Sequence, residues 1–180
     1  MIRRMIGKQA PNFEMEAIKP KMEIEKISLD EYKQEDRWVV LFFYPMNFSP
    51  ICTTEIIALT KRYEEFEKLD AQIIAISTDS IKAHEVWVHI LKKELGLDKL
   101  PFPLAADTNQ TVTKEYGVLV EEHGIALRGT FIVHPNGEIK YQLVIHEHIG
   151  RDIDEILRAL AAIQTGEKCP ANWKPGDKTF

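Results

Sequence analysis

The sequence predicts a single α/β domain in which a central mixed sheet is flanked by helices, and three observations support this expectation. A continuous apolar run over 37–44 is followed by a helical pattern over 50–69 and a second apolar run over 71–77. Two β-rich runs flank Asn136-Gly137 further along the chain. A length of 180 residues with 44% hydrophobic content suits one domain with a sizeable core.

The first half of the chain reads as a parallel β-α-β unit behind an N-terminal extension. Residues 1–33 contain short extended pieces that are broken by prolines. The run 37–44 is apolar throughout, which is typical of a central strand covered on both faces. Apolar residues recur every three to four positions over 50–69, which predicts a helix with one apolar stripe. Strand 71–77 follows that helix, so the two strands are expected to be parallel.

The second half of the chain predicts helices and an antiparallel hairpin. Asn-Gly between two β-rich runs is a strong hairpin signal. Residues 166–180 show no regular period and are expected to form a C-terminal tail of the same domain. This order of elements is that of a thioredoxin-like fold. The remaining elements are a helix over 80–95 capped by Thr78 or Asp79, a loop over 97–106, a helix over 108–116 capped by Asp107 or Thr108, strands over 125–133 and 138–145, and a helix over 151–164.

Composition and charge argue against several classes of function. The formal net charge is −5, which disfavours general binding to nucleic acid. No apolar run approaches the length that spans a membrane, and the N-terminus lacks the apolar core of a secretory signal. Two distant cysteines do not make a disulfide scaffold. We therefore expect a cytoplasmic protein with functional thiols.

The first of these cysteines, Cys52, lies where the first buried strand gives way to a helix. Ser49 suits the N-cap and Pro50 suits the first helical position, so Cys52 falls in the first turn. Its sulfur is then near unpaired N–H groups and the positive end of the helix dipole, which stabilises a thiolate. We expect the sulfur to be partly covered, since Cys52 extends the apolar stripe of the helix. A small buried core residue is the alternative interpretation.

Two neighbours of Cys52 each have two interpretations. Pro45 stiffens the turn before the helix, together with Pro50, or simply marks that turn. The hydroxyl of Ser49 caps the helix, or it is aimed at an oxygen of a substrate.

Two arginines call for anionic partners. Arg128 stands in an otherwise apolar strand, where an unpaired guanidinium would be costly to bury. Its candidate partners are the Cys52 thiolate and Glu55, and the alternative is that it reaches solvent at the strand end. Arg151 opens the last helix, where the dipole disfavours a cation. This placement suggests an ion pair, for example with Glu55, unless Arg151 is a solvated surface residue.

Two motifs carry a resemblance to a known family. Pro45, Ser49 and Cys52 fit the pattern Pro-x-x-x-Ser/Thr-x-x-Cys, and Cys169 opens the sequence Cys-Pro-Ala-Asn-Trp-Lys-Pro-Gly. With Phe42-Phe43-Tyr44 before the first motif, the chain resembles the peroxiredoxins over nearly its whole length. It is most similar to the typical two-cysteine type related to bacterial alkyl hydroperoxide reductase.

The resemblance implies a thiol-dependent peroxidase that reduces hydrogen peroxide and organic hydroperoxides. Cys52 would be the peroxidatic cysteine that becomes a sulfenic acid. Cys169 would be the resolving cysteine, forming a disulfide with Cys52 of a partner subunit. Pro45 would shield the sulfur, and Ser49 and Arg128 would hydrogen-bond the peroxide oxygens.

The resemblance also implies a supporting set and partners. Glu55, Arg151 and Tyr44 would order the site. No metal, haem, flavin or other cofactor is implied. The electron donor would be a thioredoxin-like protein or a flavoprotein disulfide reductase, and the assembly a homodimer or a ring of five dimers.

One departure concerns the subclass. Thr53 replaces the proline common after this cysteine, and Cys-Thr-Thr-Glu is frequent in the one-cysteine branch. The long C-terminal domain of that branch is expected to be absent. One alternative is therefore a one-cysteine peroxiredoxin. Three further alternatives are a thiol–disulfide exchanger, for which the motif Cys-x-x-Cys is missing, a non-enzymatic holdase, and a cysteine hydrolase.

Overall fold

The protein is built on one large mixed sheet, described by a computed structural model over residues 4–96 and 100–180. The elements are β1 Glu14–Ile18, β2 Ile24–Ser28, α1 Leu29–Gln34, β3 Trp38–Phe43, α2 Pro50–Lys61, α3 Tyr63–Lys68, β4 Ala71–Ser77, α4 Ile81–Leu95, β5 Leu104–Ala106, α5 Thr111–Glu115, β6 Leu119–Val120, β7 Ile125–Ala126, β8 Arg128–Val133, β9 Ile139–Ile145 and α6 Ile153–Gln164.

The sheet has seven strands in the order β2-β1-β5-β4-β3-β8-β9. β3 pairs with β4 in parallel, with Val40 opposite Ile73, so the predicted β-α-β unit is confirmed. β8 pairs with β9 antiparallel across the Asn136-Gly137 turn, so the predicted hairpin is confirmed as well. Helices flank this mixed sheet, as the expected thioredoxin-like fold requires.

The central strand β3 is covered on both faces, as its continuous apolar sequence predicts. Val40 and Phe42 belong to one core cluster, which also contains Cys52 and residues of α4 and α6. Leu41 and Phe43 belong to the other cluster, on the opposite face. The alternation follows from the two-residue period of a strand. It places Cys52 and the long helices α4 and α6 on the same face of the sheet.

Three predicted elements differ from the structure. The helix expected over 50–69 is two helices, because the backbone at Arg62 departs from helical geometry with φ −104° and ψ 6°. The strand expected over 125–133 is divided into the short strand β7 and β8. The loop expected over 97–106 contains β5, which lies between β1 and β4 in the sheet. Pro103 directly precedes β5, where a proline costs the sheet no hydrogen bond. Residues 97–99 lie outside the described residues.

The helix caps also differ in detail. Neither Thr78 nor Asp79 caps α4, because Ser80 is the N-cap and its side chain accepts from the N–H of Ala83. Helix α5 is shorter than expected, although the carboxylate of Asp107 accepts from two N–H groups in its first turn. Helix α6 begins at Ile153 rather than at 151, because the side chain of Asp152 caps it.

The segment after α6 folds back onto the body of the protein. Trp173 is 4% exposed, and its indole N–H donates to the carbonyl of Asp177 at 3.1 Å. Arg158 of α6 donates to the carbonyl of Trp173 at 3.3 Å. These contacts hold the tail against α6. Over 4–96 and 100–180, no helix combines the length and the apolar character needed to cross a membrane.

Candidate active site

Cys52 lies in the first turn of α2, as its sequence context predicts. Ser49 is the N-cap, with extended backbone at φ −69° and ψ 136°, and Pro50 is the first helical residue. The sulfur of Cys52 accepts a hydrogen bond from Nη1 of Arg128 at 3.3 Å. Cys52 is 0% exposed, so the sulfur is fully buried rather than partly covered as expected. One side of the buried sulfur nevertheless faces the guanidinium of Arg128, and the interpretation of Cys52 as a small core residue does not account for this contact.

The hydroxyl of Ser49 does not cap the helix, although Ser49 occupies the N-cap position. The backbone carbonyl of Ser49 instead accepts from both the N–H and the hydroxyl of Thr53, each at 2.9 Å. The expectation of a side-chain cap is therefore wrong. The alternative use of this hydroxyl, toward a substrate oxygen, remains a prediction.

Glu55 joins the two arginines that the sequence singled out. Its Oε2 accepts from Nη1 of Arg128 at 2.7 Å and from Nη2 of Arg151 at 2.9 Å. Its Oε1 accepts from the backbone N–H of Arg151 at 2.8 Å and from Nε at 2.9 Å. Arg128 is 1% exposed and Arg151 is 7% exposed. Both expected partners of Arg128 are thus found, and neither arginine is a solvated surface residue.

The two guanidinium groups are fixed from several directions. Nε of Arg128 donates to the carbonyl of Glu147 at 2.8 Å. Nη1 of Arg151 donates to the carbonyl of Gly129 at 2.8 Å, and its Cζ lies 3.2 Å from the centroid of the Phe42 ring. Side chains held in this way lose little further entropy when they bind a reacting group.

The buried cluster carries an excess of positive charge. Two guanidinium groups face one carboxylate, which leaves one positive charge in excess. The hydrogen bond from Arg128 places part of that charge against the sulfur of Cys52. Because an uncompensated buried charge is costly, the cluster can stabilise negative charge that develops beside the sulfur.

Glu55 predicts how stability depends on pH. Burial acts to raise the pKa of Glu55, but the hydrogen bonds and charge of Arg151 outweigh it and hold the pKa below its ordinary value of 4.5. Because the folded pKa is depressed, the stabilisation by Glu55 is present above the unfolded pKa and is lost as pH falls through the folded pKa. We expect the difference in unfolding free energy between the wild type and Glu55→Gln to be constant above about pH 5 and to shrink at lower pH. Urea titrations across this range measure it, and a difference that grows on acidification would contradict the assignment.

Tyr44 and Pro45 are buried and lie in the loop that links β3 to α2. The hydroxyl of Tyr44 donates to Oδ1 of Asn47 at 2.8 Å, and burial raises the pKa of Tyr44 well above 10. The loop carries strain, because Phe48 has a φ of +62°. That left-handed conformation costs a residue with a side chain about 1 to 2 kcal/mol.

Cys169 lies in the tail and in different surroundings from Cys52. Its sulfur is 3.5 Å from the hydroxyl of Thr165 and 3.7 Å from the carbonyl of Ala162, and both cysteines are free. A cavity of about 340 Å³ adjoins Cys169 and is lined partly by Tyr141 of the edge strand β9. The predicted site residues therefore fall into three groups. The first is the buried cluster of Cys52, Glu55, Arg128 and Arg151. The second lies on the adjoining loop and contains Tyr44, Pro45 and Ser49. The third is Cys169, whose sulfur lies against the end of α6.

The sequence did not reveal two buried polar residues, Asn47 in the loop and His84 of α4 beside it. Asn47 gave no signal in the sequence. His84 gave a weak one, because it shares the buried face of α4 with Trp87 and Val88. Within the described part of the chain, no group of three or more His, Cys, Asp or Glu side chains is placed to hold a metal ion.

A buried cysteine at a helix N-terminus, bonded to a paired guanidinium on a thioredoxin-like sheet, defines a thiol-based redox site. The AhpC/TSA family model matches residues 6–142, and the chain belongs to this peroxiredoxin family. A Bacillus subtilis protein named as a peroxiredoxin is 59% identical over 180 residues and covers 100% of both chains. The "Thioredoxin peroxidase" of Echinococcus granulosus is 43% identical, covering 98% of this chain and 92% of its own. These relatives are enzymes, and so is this protein.

Comparison with solved structures agrees with this assignment. The reduced 2-Cys peroxiredoxin of Plasmodium vivax matches with a TM-score of 0.91 and 32% identity, covering 98% of this chain and 93% of its own. A second family model, the C-terminal domain of 1-Cys peroxiredoxin, matches residues 161–180. The sequence analysis expected this domain to be absent. The match corrects that expectation, because the tail that carries Cys169 is similar to part of the domain.

Proposed function

We propose that this peroxiredoxin reduces hydrogen peroxide and organic hydroperoxides through a sulfenic acid on Cys52. The single observation that carries the proposal is the hydrogen bond of 3.3 Å from Arg128 to the sulfur. The same guanidinium is bound to Glu55, which is in turn fixed by Arg151. A cation held in this way stabilises both the attacking thiolate and the negative charge that develops on the leaving oxygen.

The first step forms one bond and breaks one. The thiolate of Cys52 attacks the nearer peroxide oxygen, forming S–O as O–O breaks. The sulfur is oxidised to sulfenic acid, and the departing oxygen takes a proton to become water or an alcohol. Arg128 and the hydroxyl of Ser49 would hydrogen-bond the two oxygens, while Pro45 would keep bulk water from the sulfur.

The second step would join Cys52 to Cys169 of a second copy of the chain. The Cys169 thiolate attacks the sulfenic sulfur, a disulfide forms, and the sulfenic oxygen leaves as water. Cys169 and Tyr141 of β9 line the same cavity, and β9 lies at one edge of the sheet. Edge strands readily pair with a second chain, so a dimer through this edge would carry Cys169 toward the partner subunit. This geometry supports resolution between subunits.

The remaining partners follow from the same cycle. A thioredoxin-like protein or a flavoprotein disulfide reductase would reduce the disulfide by thiol exchange. Such a cycle needs a reducing compartment, which supports the cytoplasm. Exposed apolar side chains on the loop and on α4 support a further association of dimers, up to a ring of five. They are Met46, Phe48, Val86 and Ile90.

The two-cysteine cycle is tested with Cys52→Ser and Cys169→Ser. We expect Cys52→Ser to lose peroxide consumption entirely, because no nucleophile remains. Cys169→Ser should consume about one peroxide per sulfur and then stop turning over with a thioredoxin-type donor. Neither variant should form the disulfide-linked dimer that the wild type shows on non-reducing gels.

The one-cysteine mechanism is the second candidate, and the match of the tail to the 1-Cys domain favours it. Sustained turnover by Cys169→Ser with an added thiol would establish that candidate instead. Unchanged peroxide consumption by Cys52→Ser would overturn both. A wild type that reduces insulin but consumes no peroxide would instead favour a thiol–disulfide exchanger, and a biological activity that survives Cys52→Ser would favour a holdase of the same fold.

A further inference from the structure

The loop that leads to Cys52 is anchored by a second set of hydrogen bonds, which does not involve Arg128. Asn47, in the middle of this loop, is 4% exposed and lies against His84 of α4, which is 0% exposed. Nδ2 of Asn47 is 3.0 Å from Nδ1 of His84. The other ring nitrogen of His84, Nε2, is 3.1 Å from the carbonyl of Ala105 in β5. A chain of hydrogen bonds therefore ties the loop to a helix and to a strand of the sheet.

Which group donates and which accepts in each hydrogen bond follows from the chemistry of the groups. A carbonyl can only accept, so Nε2 of His84 carries the proton and donates to Ala105. Nδ1 is then an acceptor and takes a hydrogen from the amide nitrogen of Asn47. The amide oxygen of Asn47 accepts from the hydroxyl of Tyr44 at 2.8 Å. Burial lowers the pKa of His84, which keeps the ring neutral and this order of donors intact.

The loop needs such an anchor because its backbone is not relaxed. Phe48, the residue after Asn47, holds a φ of +62°. The backbone N–H of Asn47 is tied separately to the carboxylate of Asp79 at 2.9 Å. With these bonds released, Phe48 would relax toward an ordinary conformation, and Ser49 and the start of α2 would move with it.

We propose that His84 is a positioning residue that acts through Asn47 to hold Cys52 beside Arg128. The inference rests on the proposed function, since it assigns His84 to the peroxide step. Cys52 is 0% exposed and must leave this position before it can meet Cys169. The anchor thus belongs to the state that reacts with peroxide and not to the state that forms the disulfide. Weakening it should slow the first step and leave the second at least as fast.

Two substitutions distinguish the contributions of the two ring nitrogens of His84. Asparagine places an amide atom where Nδ1 lies, and glutamine places one where Nε2 lies. We expect His84→Asn, which can still bind Asn47, to keep the rate of the peroxide step within about threefold. His84→Gln, which keeps only the contact to Ala105, should lose about tenfold, the effect of one buried hydrogen bond. His89→Gln, at an exposed position on the same helix, is the matched control and should be unchanged.

The measurement is single-turnover hydrogen peroxide loss by prereduced protein, followed by quenched samples on non-reducing gels for the disulfide step. Equal rates in His84→Asn and His84→Gln, whether both high or both low, would overturn the assignment. A disulfide step slowed along with the peroxide step would overturn it too, because general damage slows both.

If the His84 variants fail to fold, Asn47→Ala breaks the same link from the loop side. We expect about a tenfold slower peroxide step, again without a slower disulfide step. A wild-type rate in Asn47→Ala overturns the inference. Failure of the proposed function is distinguishable, because then the wild-type protein itself consumes no peroxide.

Discussion

Replacing Arg128 with methionine is expected to slow the reaction of Cys52 with hydrogen peroxide by about a hundredfold to a thousandfold. That is the typical loss when one preorganised donor to a developing oxyanion is removed. The effect should be this large because Nη1 of Arg128 contacts the sulfur directly, at 3.3 Å, and both side chains are buried. Stopped-flow kinetics with prereduced protein measure the rate.

Two further variants serve as controls for Arg128→Met. Arg128→Lys keeps a positive charge but cannot reach the sulfur, Glu55 and the Glu147 carbonyl together, so it should fall between the wild type and Arg128→Met. Arg62→Met, which changes a partly exposed arginine at the end of α2, should leave the rate unchanged. A wild-type rate in Arg128→Met would show that the guanidinium plays no part in the reaction.

Replacing Glu55 with glutamine is expected to cost about 3 to 5 kcal/mol of stability. Glutamine keeps the shape of the side chain but removes the carboxylate charge that pairs with both Arg128 and Arg151, and both arginines are buried. Losses of about this size are typical when one partner of a buried ion pair is removed. For a chain of this length, the melting temperature should fall by roughly 6 to 20 °C. Differential scanning calorimetry in reductant, at fixed protein concentration, measures the change.

Glu155→Gln is the matched control for Glu55→Gln. Glu155 also pairs with an arginine, but its side chain is 42% exposed. Exposed ion pairs contribute about 0 to 1 kcal/mol, so this variant should melt within a few degrees of the wild type. Equal and small shifts in both variants would mean that the Glu55 cluster does not carry the stability assigned to it.

The sequence was sufficient to predict the parts of the site that depend on local pattern and on charge. Ser49 and Pro50 placed Cys52 in the first turn of a helix, because caps and prolines act over a few residues. Arg128 in an apolar strand required an anion, because a lone buried cation is too costly. The unfavourable position of a cation before a helix suggested an ion pair of Arg151 with Glu55, beside the alternative of a solvated surface residue.

What could not be predicted depends on contacts between distant segments. The chain of hydrogen bonds through His84 joins residues that are 37 and 21 positions apart. Strand β5 forms only because β1 and β4 lie on either side of it. The preference of serine for the N-cap indicated a side-chain cap as one of two uses of the Ser49 hydroxyl, and the structure shows no such cap.

The complete burial of the Cys52 sulfur has a consequence for chemical selectivity. Because Cys52 is 0% exposed, we expect it to react more readily with an oxidant as small as hydrogen peroxide than with a bulky alkylating reagent, which requires a larger opening at the start of α2. Slow labelling of Cys52 by large maleimides, beside fast labelling of Cys169, is the corresponding signature. The fold would then select among electrophiles by their size, before their intrinsic reactivity toward a thiol matters.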